Sequence, residues 1–249
     1  MKKVFLMAVT SAALLFAQGA KAQTNLQVFY DFAPDRQHVT TTLEGFYNDN
    51  WGNTFFFLDH DYASKDLNGK TIAPSGTYLE IARCLNFWQD SSLAPLSFQV
   101  EYNGGVYNGY TINSAFLVGL DLFLHSADFN NTFNFKVLYK NIMATTSKVP
   151  MQFTFVWGLQ DLFGVRGLRF SGFCDFWWED HALFKDHNGA LLGEMASTVF
   201  LSEPQLWYNL GQFFGCDNFN IGGEVELSYN FGTAKGFWAR PCAGIKWVF

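Results

Sequence analysis

The sequence predicts an all-β protein, a closed antiparallel transmembrane β-barrel of about 12 strands. Three observations point to this fold class. The composition is too apolar for an ordinary water-soluble domain, apolar residues alternate with polar ones along much of the chain, and the last predicted strand ends on an aromatic residue, Phe249.

The composition excludes two other classes of protein. Of the 249 residues, 49% are hydrophobic, 19% are aromatic and only 15% are charged, whereas roughly a quarter of the residues of a soluble domain are charged. So much apolar surface excludes a disordered chain. After residue 22, the longest apolar run is 115–124, and Asp121 interrupts it. A spanning helix needs about 18 apolar residues, so a helical membrane protein is also excluded.

The N-terminal segment predicts export. Residues 1–22 have the pattern of a cleaved signal peptide: the positive Lys2 and Lys3, an apolar stretch over 4–16, and small residues at Ala20 and Ala22 before the cleavage site. Residues 23–249 would then form the barrel domain. Cleavage removes three lysines and no acid, which shifts the net charge from −6 to about −9. Because this balance offers no basic surface, we expect no nucleic-acid partner.

The four cysteines leave the disulfide state open. They are Cys84, Cys174, Cys216 and Cys242. In an exported protein they could form two disulfides in any of three pairings, or remain free among apolar neighbours. They lack the close spacing of zinc ligands, and we expect no cofactor.

Apolar and polar residues alternate with a period of two, as they do in strands that have one apolar face. Clear examples are the segments 26–32 and 221–231. Twelve strands are predicted near residues 24–33, 38–48, 53–63, 77–88, 96–107, 111–125, 130–141, 150–162, 166–178, 193–206, 219–231 and 237–249. Turn-forming residues separate them, for example Asn68-Gly69 and Asn188-Gly189.

Alternation alone does not say which face is outside, since a soluble barrel and a membrane barrel have the same period. Charged residues are scarce, which favours the membrane barrel. Aromatic residues at predicted strand ends are typical of its two girdles. These are Trp51, Phe55, Tyr78, Trp88, Tyr107, Tyr110, Trp157, Trp177, Trp178, Trp207, Tyr208, Trp238 and Trp247. The ending Trp247-Val248-Phe249 resembles the C-terminal assembly signal of bacterial outer-membrane barrels, with Phe249 as the signal residue.

If the apolar face contacts lipid, the other face lines the lumen. The strand phase places there Phe29, Asp31, Glu44, Phe46, Gln99, Glu101, Asn103, Asn134, Lys136, Lys140, Gln152, Gln160, Arg169, Asp175, Glu224, Glu226, Arg240 and Lys246. Our candidate solute-binding residues are Phe29, Asp31, Glu44, Phe46, Arg169, Phe173, Asp175, Trp177, Glu224 and Arg240. The alternative is that these side chains pair with one another and only hold the barrel rigid.

Three segments resemble the nucleoside-specific channel family typified by Tsx. They are Thr54 to Asp61, Leu168 to Trp177 and Ser202 to Gly211. The resemblance implies a monomeric barrel of twelve strands that passes nucleosides and similar small solutes down a gradient. It does not assign binding residues, but a nucleoside would need an aromatic face for its base and polar groups for its ribose.

We therefore expect a passive channel in the cell outer membrane, not an enzyme. Its partners would be outer-membrane lipid, the barrel assembly machinery and a small polar solute such as a nucleoside, and it would be a monomer. One alternative is a non-conducting structural barrel.

A second alternative is a lipid hydrolase, for which His125, Ser126 and His181 supply the residue types. His125 and Ser126 are adjacent in sequence, so on one strand they would point to opposite faces. The acid and histidine groups 59–61, 179–181 and 186–187 could bind a divalent cation or could be solvated loop charges.

We predict that deletion of Phe249 impairs insertion into the outer membrane more than it impairs the stability of a folded barrel, because the residue acts as a signal to the assembly machinery. The measurement compares the outer-membrane level of the truncated protein with the urea midpoint of refolded protein. A normal outer-membrane level would contradict this prediction.

Overall fold

The computed structural model describes residues 21–65, 69–107 and 110–249, and these form a closed antiparallel β-barrel. The strands of the barrel are β1 Lys21–Asp31, β2 Val39–Asp49, β3 Gly52–Asp61, β6 Gly76–Leu85, β7 Leu96–Tyr107, β8 Tyr110–His125, β9 Asn131–Ile142, β10 Met151–Gln160, β11 Leu168–Lys185, β12 Leu191–Ser202, β13 Gln205–Tyr208, β14 Phe219–Tyr229 and β15 Phe237–Val248. Between β3 and β6, β4 Ser64–Lys65 and β5 Thr71–Ile72 form a small hairpin. Two short 3-10 turns cover Leu162–Gly164 and Leu210–Phe213.

The sheet closes where the first strand pairs with the last. β1 pairs with β15 from Asn25↔Val248 to Asp31↔Cys242, and its other edge pairs with β2. The short strands β12 and β13 both lie between β11 and β14, so they share one position in the wall. The 13 strands therefore fill 12 barrel positions, which confirms the predicted fold class.

The predicted boundaries fail at the ninth and tenth segments. The ninth was expected to end at residue 178, but β11 continues to Lys185, and the residues 179–181 that we expected in a loop lie in this strand. Register shifts follow Trp178 and Leu183. Such bulges place an extra residue on one strand and interrupt the period of two, so the alternation no longer shows the strand.

The tenth segment is broken at Glu203-Pro204, between β12 and β13. Proline has no N–H to donate to a neighbouring strand, so it interrupts the ladder. β11 passes close to this break at Gly172, where a Cβ atom would lie 2.4 Å from the carbonyl oxygen of Glu203. Glycine is therefore required for the close approach of the two backbones.

The outer wall is apolar and exposed. Outward side chains along β8 include Phe116, Val118 and Leu120, which are 53%, 37% and 48% exposed. The same holds for Val137 on β9 and Ile245 on β15. A contiguous apolar surface of this extent would be unfavourable in water and matches the hydrocarbon of a bilayer.

The interior holds the polar side chains. Buried inner residues include Gln27, Gln99, Asp121, Ser228 and Arg240. A small apolar cluster of Ala115, Leu117 and Leu138 lies among them. In the part of the chain that the structure covers, no helix has the length and apolar character needed to cross a membrane.

Two expectations from the sequence concern cleavage of the signal peptide and the state of the cysteines. The predicted signal peptide lies outside the described residues except for Lys21 and Ala22, which begin β1, so its cleavage stays a prediction. All four cysteines are free thiols, and Cys84 is buried against Gln99 and Asp121.

We predict that Val118→Arg destabilises the barrel in lipid by about 2–4 kcal/mol, because Val118 lies midway along β8 on the outer wall. The matched control is Leu124→Arg, also outward but near the strand end, where the expected cost is about 0–1 kcal/mol. Urea titration of both variants in lipid vesicles measures the difference. Equal costs would contradict the orientation of the barrel in the bilayer.

Candidate functional site: the barrel lumen

The structure places all ten candidate solute-binding residues on the inner face of the wall. Directly paired residues of antiparallel strands share a face, and the register carries one face around the barrel through pairs such as Glu44↔Phe57 and Thr154↔Asp175. The other inner residues predicted from the strand phase lie on this face too. Whether any of them binds a solute stays a prediction.

The ten residues do not form one site, because they lie on different strands and at different depths. For orientation, the terminal end of the barrel is the rim where β1 begins and β15 ends, and the distal end is the opposite rim. Phe46 lies near the terminal end and is 38% exposed. Asp31 and Arg240 lie near the distal end, where they join a group of charged side chains.

We call this group the mouth cluster. It consists of Asp31, Asp35, Arg36, Lys185, Glu226 and Arg240. Asp35 and Arg36 come from the β1–β2 connection, residues 32–38, and the other four come from β1, β11, β14 and β15. With three acids and three bases, the cluster is neutral overall.

Each member of the cluster contacts at least one opposite charge. The Arg240 guanidinium lies 3.0 Å from one carboxylate oxygen of Asp35 and 2.6 Å from a carboxylate oxygen of Glu226. Lys185 Nζ lies 2.9 Å from Asp35, and Arg36 contacts both Glu226 and, at 3.4 Å, Asp31. Charge-assisted hydrogen bonds of this kind are stronger than neutral ones.

The basic partners determine the ionisation of Asp35. Burial by itself raises the pKa of this carboxyl group, but the hydrogen bonds and charges of Arg240 and Lys185 outweigh burial and hold the pKa well below its usual range. Asp35 therefore stays ionised through the mildly acidic range, and its ion pairs persist there.

Five inner carboxyl groups have a different environment. We call Glu44, Asp59, Glu80, Asp175 and Glu224 the lumen carboxylates. They are half-buried, and within the described ranges none forms an ion pair with a basic side chain within 4.0 Å.

Four of the lumen carboxylates accept hydrogen bonds from neutral groups. Thr42 donates to Asp59 at 2.6 Å, Thr154 to Asp175 at 2.5 Å, Gln205 to Glu224 at 2.7 Å and Asn25 to Glu44 at 2.8 Å. A carboxylate has about four lone-pair directions, so each keeps hydrogen-bonding capacity for a solute or water.

Three inner tryptophans carry a cation over the ring. Lys140 Nζ lies 4.0 Å from the Trp177 ring centroid and Lys246 Nζ lies 4.2 Å from that of Trp207. The Arg240 guanidinium carbon lies 4.6 Å from the Trp238 ring centroid. Trp207 and Trp238 were expected in the lipid girdles, as were Phe55 and Tyr78, yet the register places all four inside. Trp177 was named both as a girdle residue and as a lumen candidate, and it lies inside as well. Position near a strand end does not reveal which face a side chain occupies.

This packing changes the expectation for two candidate residues. Trp177 is 6% exposed beneath Lys140, and Phe29 is 3% exposed against Trp207, with ring centroids 5.5 Å apart. Both are therefore covered by the protein itself. Phe173, on the inner face of β11, is half-buried and remains partly accessible.

The structure adds inner residues that sequence reasoning missed. Phe57 on β3 contacts Tyr78 on β6, with ring centroids 5.6 Å apart, and Asp59 and Glu80 lie on the same face. In the run Phe55-Phe56-Phe57, every residue is aromatic, so the sequence shows no alternation that separates the faces. The acids Asp59 and Asp61, two residues apart, were the available signal.

The residue types of the hydrolase alternative are not arranged as a nucleophile and base. Ser126 Oγ donates to Asp128 at 2.5 Å, and the His125 ring contacts the Ser126 carbonyl oxygen instead. His181 contacts two backbone carbonyl oxygens.

The residues proposed for a divalent cation are not arranged as a metal site. Asp59 and Asp61 face inward and His60 faces outward, on a strand rather than in a loop. Among the described residues, no group of three or more His, Cys, Asp or Glu side chains could hold a metal ion.

A closed barrel with an apolar outer wall and a polar interior defines a transmembrane β-barrel of the outer-membrane type. The chain belongs to the family described as a domain of unknown function, DUF5020, whose model matches residues 23–249. None of the curated protein sequences matches it.

Several solved structures match this chain at low sequence identity. The structure of the NanC porin is 8% identical with a TM-score of 0.53, and the match covers 90% of this chain and 98% of NanC. The KdgM porin in complex with disordered oligogalacturonate is 10% identical with a TM-score of 0.46, covering 91% and 99%. Pseudomonas aeruginosa OccK2 in complex with glucuronate is 10% identical with a TM-score of 0.38, covering 93% and 98%. Of these three, the likeness to NanC supports the porin fold.

We predict that Arg240→Ala destabilises the barrel by about 3 kcal/mol, because it leaves the buried Glu226 and the half-buried Asp35 with one basic partner fewer. The control is Glu194→Gln, which breaks the Lys235–Glu194 pair at the same end of the barrel. Both members of that pair are about half exposed, and such pairs contribute about 0–1 kcal/mol. Urea unfolding in detergent measures both, and equal losses would contradict the structural role of the cluster.

Proposed function

We propose that the protein is a passive outer-membrane channel for small polar solutes, with nucleosides as the leading class. The observation that carries this proposal is the combination of half-buried lumen carboxylates, which keep free hydrogen-bonding capacity, with inner aromatic rings. By contrast, the carboxyl groups of Glu226 and Asp35 in the mouth cluster are occupied by basic partners, which leaves them less available to a solute.

The positions of the three segments that resemble the Tsx family support nucleosides as the solute class. Thr54 to Asp61 falls on β3, Leu168 to Trp177 on β11, and Ser202 to Gly211 covers the break before β13 and β13 itself. Along the sheet, six intervals of the 12 positions separate β3 from β11. The segments therefore contribute to opposite walls of the lumen.

These opposite walls offer the groups that a nucleoside needs. On β3 and the neighbouring β6, Phe57 and Tyr78 present aromatic surface beside Asp59. On β11, Phe173 lies two residues from Asp175 on the same face. An aromatic face can stack on a base, and a carboxyl group can hydrogen-bond the ribose hydroxyls.

We also propose that the protein acts without catalysis. Ser126 Oγ bonds to Asp128, and the His125 ring bonds to the Ser126 carbonyl oxygen. The two side chains therefore do not bond to each other as a nucleophile and base would, and this supports the proposal. Purified protein incubated with a fluorogenic phospholipid should release no more product than the same protein with Ser126→Ala. Release that depends on Ser126 would favour the hydrolase alternative.

Transport is tested by reconstitution. Planar bilayers containing the purified barrel should show discrete conductance steps, and liposomes containing it should take up a nucleoside faster than empty liposomes. If the folded barrel shows neither conductance nor uptake, the channel proposal fails.

We predict that Asp59→Asn and Phe57→Ala each raise the nucleoside concentration that half-blocks the ion current by about tenfold, which corresponds to about 1.4 kcal/mol of lost binding. One substitution replaces a carboxyl oxygen, which can accept a hydrogen bond from a ribose hydroxyl, with an amide nitrogen, and the other removes a stacking surface. Glu194→Gln, outside the lumen, is the control and should leave the value unchanged. Unchanged values for both lumen variants would place nucleoside recognition elsewhere.

A further inference from the structure

The β1–β2 connection, residues 32–38, turns into the distal mouth. Its Ala33 is 2% exposed, and His38, where the connection meets β2, is 7% exposed. The backbone near the start is held by hydrogen bonds from Phe32 N to Pro241 O and from Ala33 N to the Asp31 carboxylate. The connection is thus anchored at its base and directed inward.

The tip of this connection lies over the inner face of the wall. Arg36 contacts Glu226, an inward residue of β14, and β14 is two of the 12 intervals from β1, or about 10 Å of wall at the usual strand spacing. Asp35 contacts Arg240, an inward residue of β15, and Lys185, whose backbone bonds to the β14–β15 connection at Thr233 and Lys235. A segment whose side chains end on inward residues of the wall lies over part of the opening.

Side chains hold the tip in that position. Asp35 is held by Lys185 and Arg240, and Arg36 by Asp31 and Glu226. The described backbone hydrogen bonds of residues 34–37 include only Arg36 N to Ala33 O, which is within the connection itself. The tip could therefore leave the mouth without breaking any pairing between barrel strands.

We propose that residues 32–38 form a strap that narrows the distal mouth, and that the ion pairs of Asp35 and Arg36 are the latch that holds it there. The strap would limit flux while it is latched and permit flux when it swings out. This inference rests on the proposed channel function, and the experiment below separates the two.

The latch is tested with three variants of the full chain. Asp35→Asn keeps the shape of the side chain but removes its charge, and Lys185→Gln removes one partner of Asp35 from a strand end, in case the first variant fails to fold. Glu194→Gln, which breaks an exposed ion pair at the same end of the barrel, is the matched control. A difference in migration between boiled and unboiled samples in detergent gels shows which variants are folded, and only these are measured.

Two measurements follow on each folded variant. Planar bilayers give the conductance and the open fraction, and trypsin followed by mass spectrometry reports whether the Arg36–Gln37 bond is accessible. We expect the two latch variants to conduct at least about twofold more than wild type in time average, and their Arg36–Gln37 bond to be cleaved at least about tenfold faster. The control should match wild type in both.

The outcomes are distinct. If the wild-type barrel does not conduct and the latch variants do, this supports the strap as strongly as the expected twofold increase in conductance. If wild type and the latch variants conduct equally and Arg36–Gln37 is equally protected in all, the strap is overturned and the channel proposal stands. If no folded variant conducts, both are overturned.

Discussion

The whole structure depends on one constraint: the backbone polar groups lie in a medium that offers them no hydrogen-bond partners. In hydrocarbon, every N–H and C=O group must find its partner within the protein, and a sheet can meet this condition only by closing on itself. Here the seam is the pairing of β1 with β15, and each described strand of the barrel pairs along both of its edges. The remaining features of the molecule follow from where this closure places each side chain.

Closure gives every strand one face toward lipid and one toward a narrow polar interior. The interior must then accommodate charged groups at limited hydration, and the protein does so in three ways. Opposite charges pair in the mouth cluster, as between Arg240 and Glu226. Lysines lie over tryptophan rings, as Lys140 does over Trp177. Four of the five lumen carboxylates instead accept hydrogen bonds from neutral side chains and keep capacity for further partners.

Under the proposed channel function, the difference between these environments separates side chains that brace the wall from side chains that can meet a solute. A paired charge is already satisfied and contributes mainly to rigidity, whereas a half-buried carboxyl group without a basic partner remains available to a passing solute. The strap adds a movable element to the same scheme, because its tip is held by side-chain ion pairs while the wall is held by backbone ladders. The strap tip can therefore move while the backbone ladders of the wall stay intact.

Sequence alone determined the fold class, all but two of the strand segments to within a few residues, and the face that each candidate residue occupies. This was possible because a strand between lipid and a polar lumen must alternate with a period of two. The alternation failed at the bulges of β11 and at Glu203-Pro204, where the period is interrupted.

Only the tertiary structure decided which side chains meet in the lumen. Asp35 and Lys185 are 150 residues apart, and Arg36 and Glu226 are 190 apart. The β1–β2 connection has no period that reveals whether it turns inward. Contacts across a barrel depend on the order and stagger of all its strands, and no local pattern in the chain carries that information.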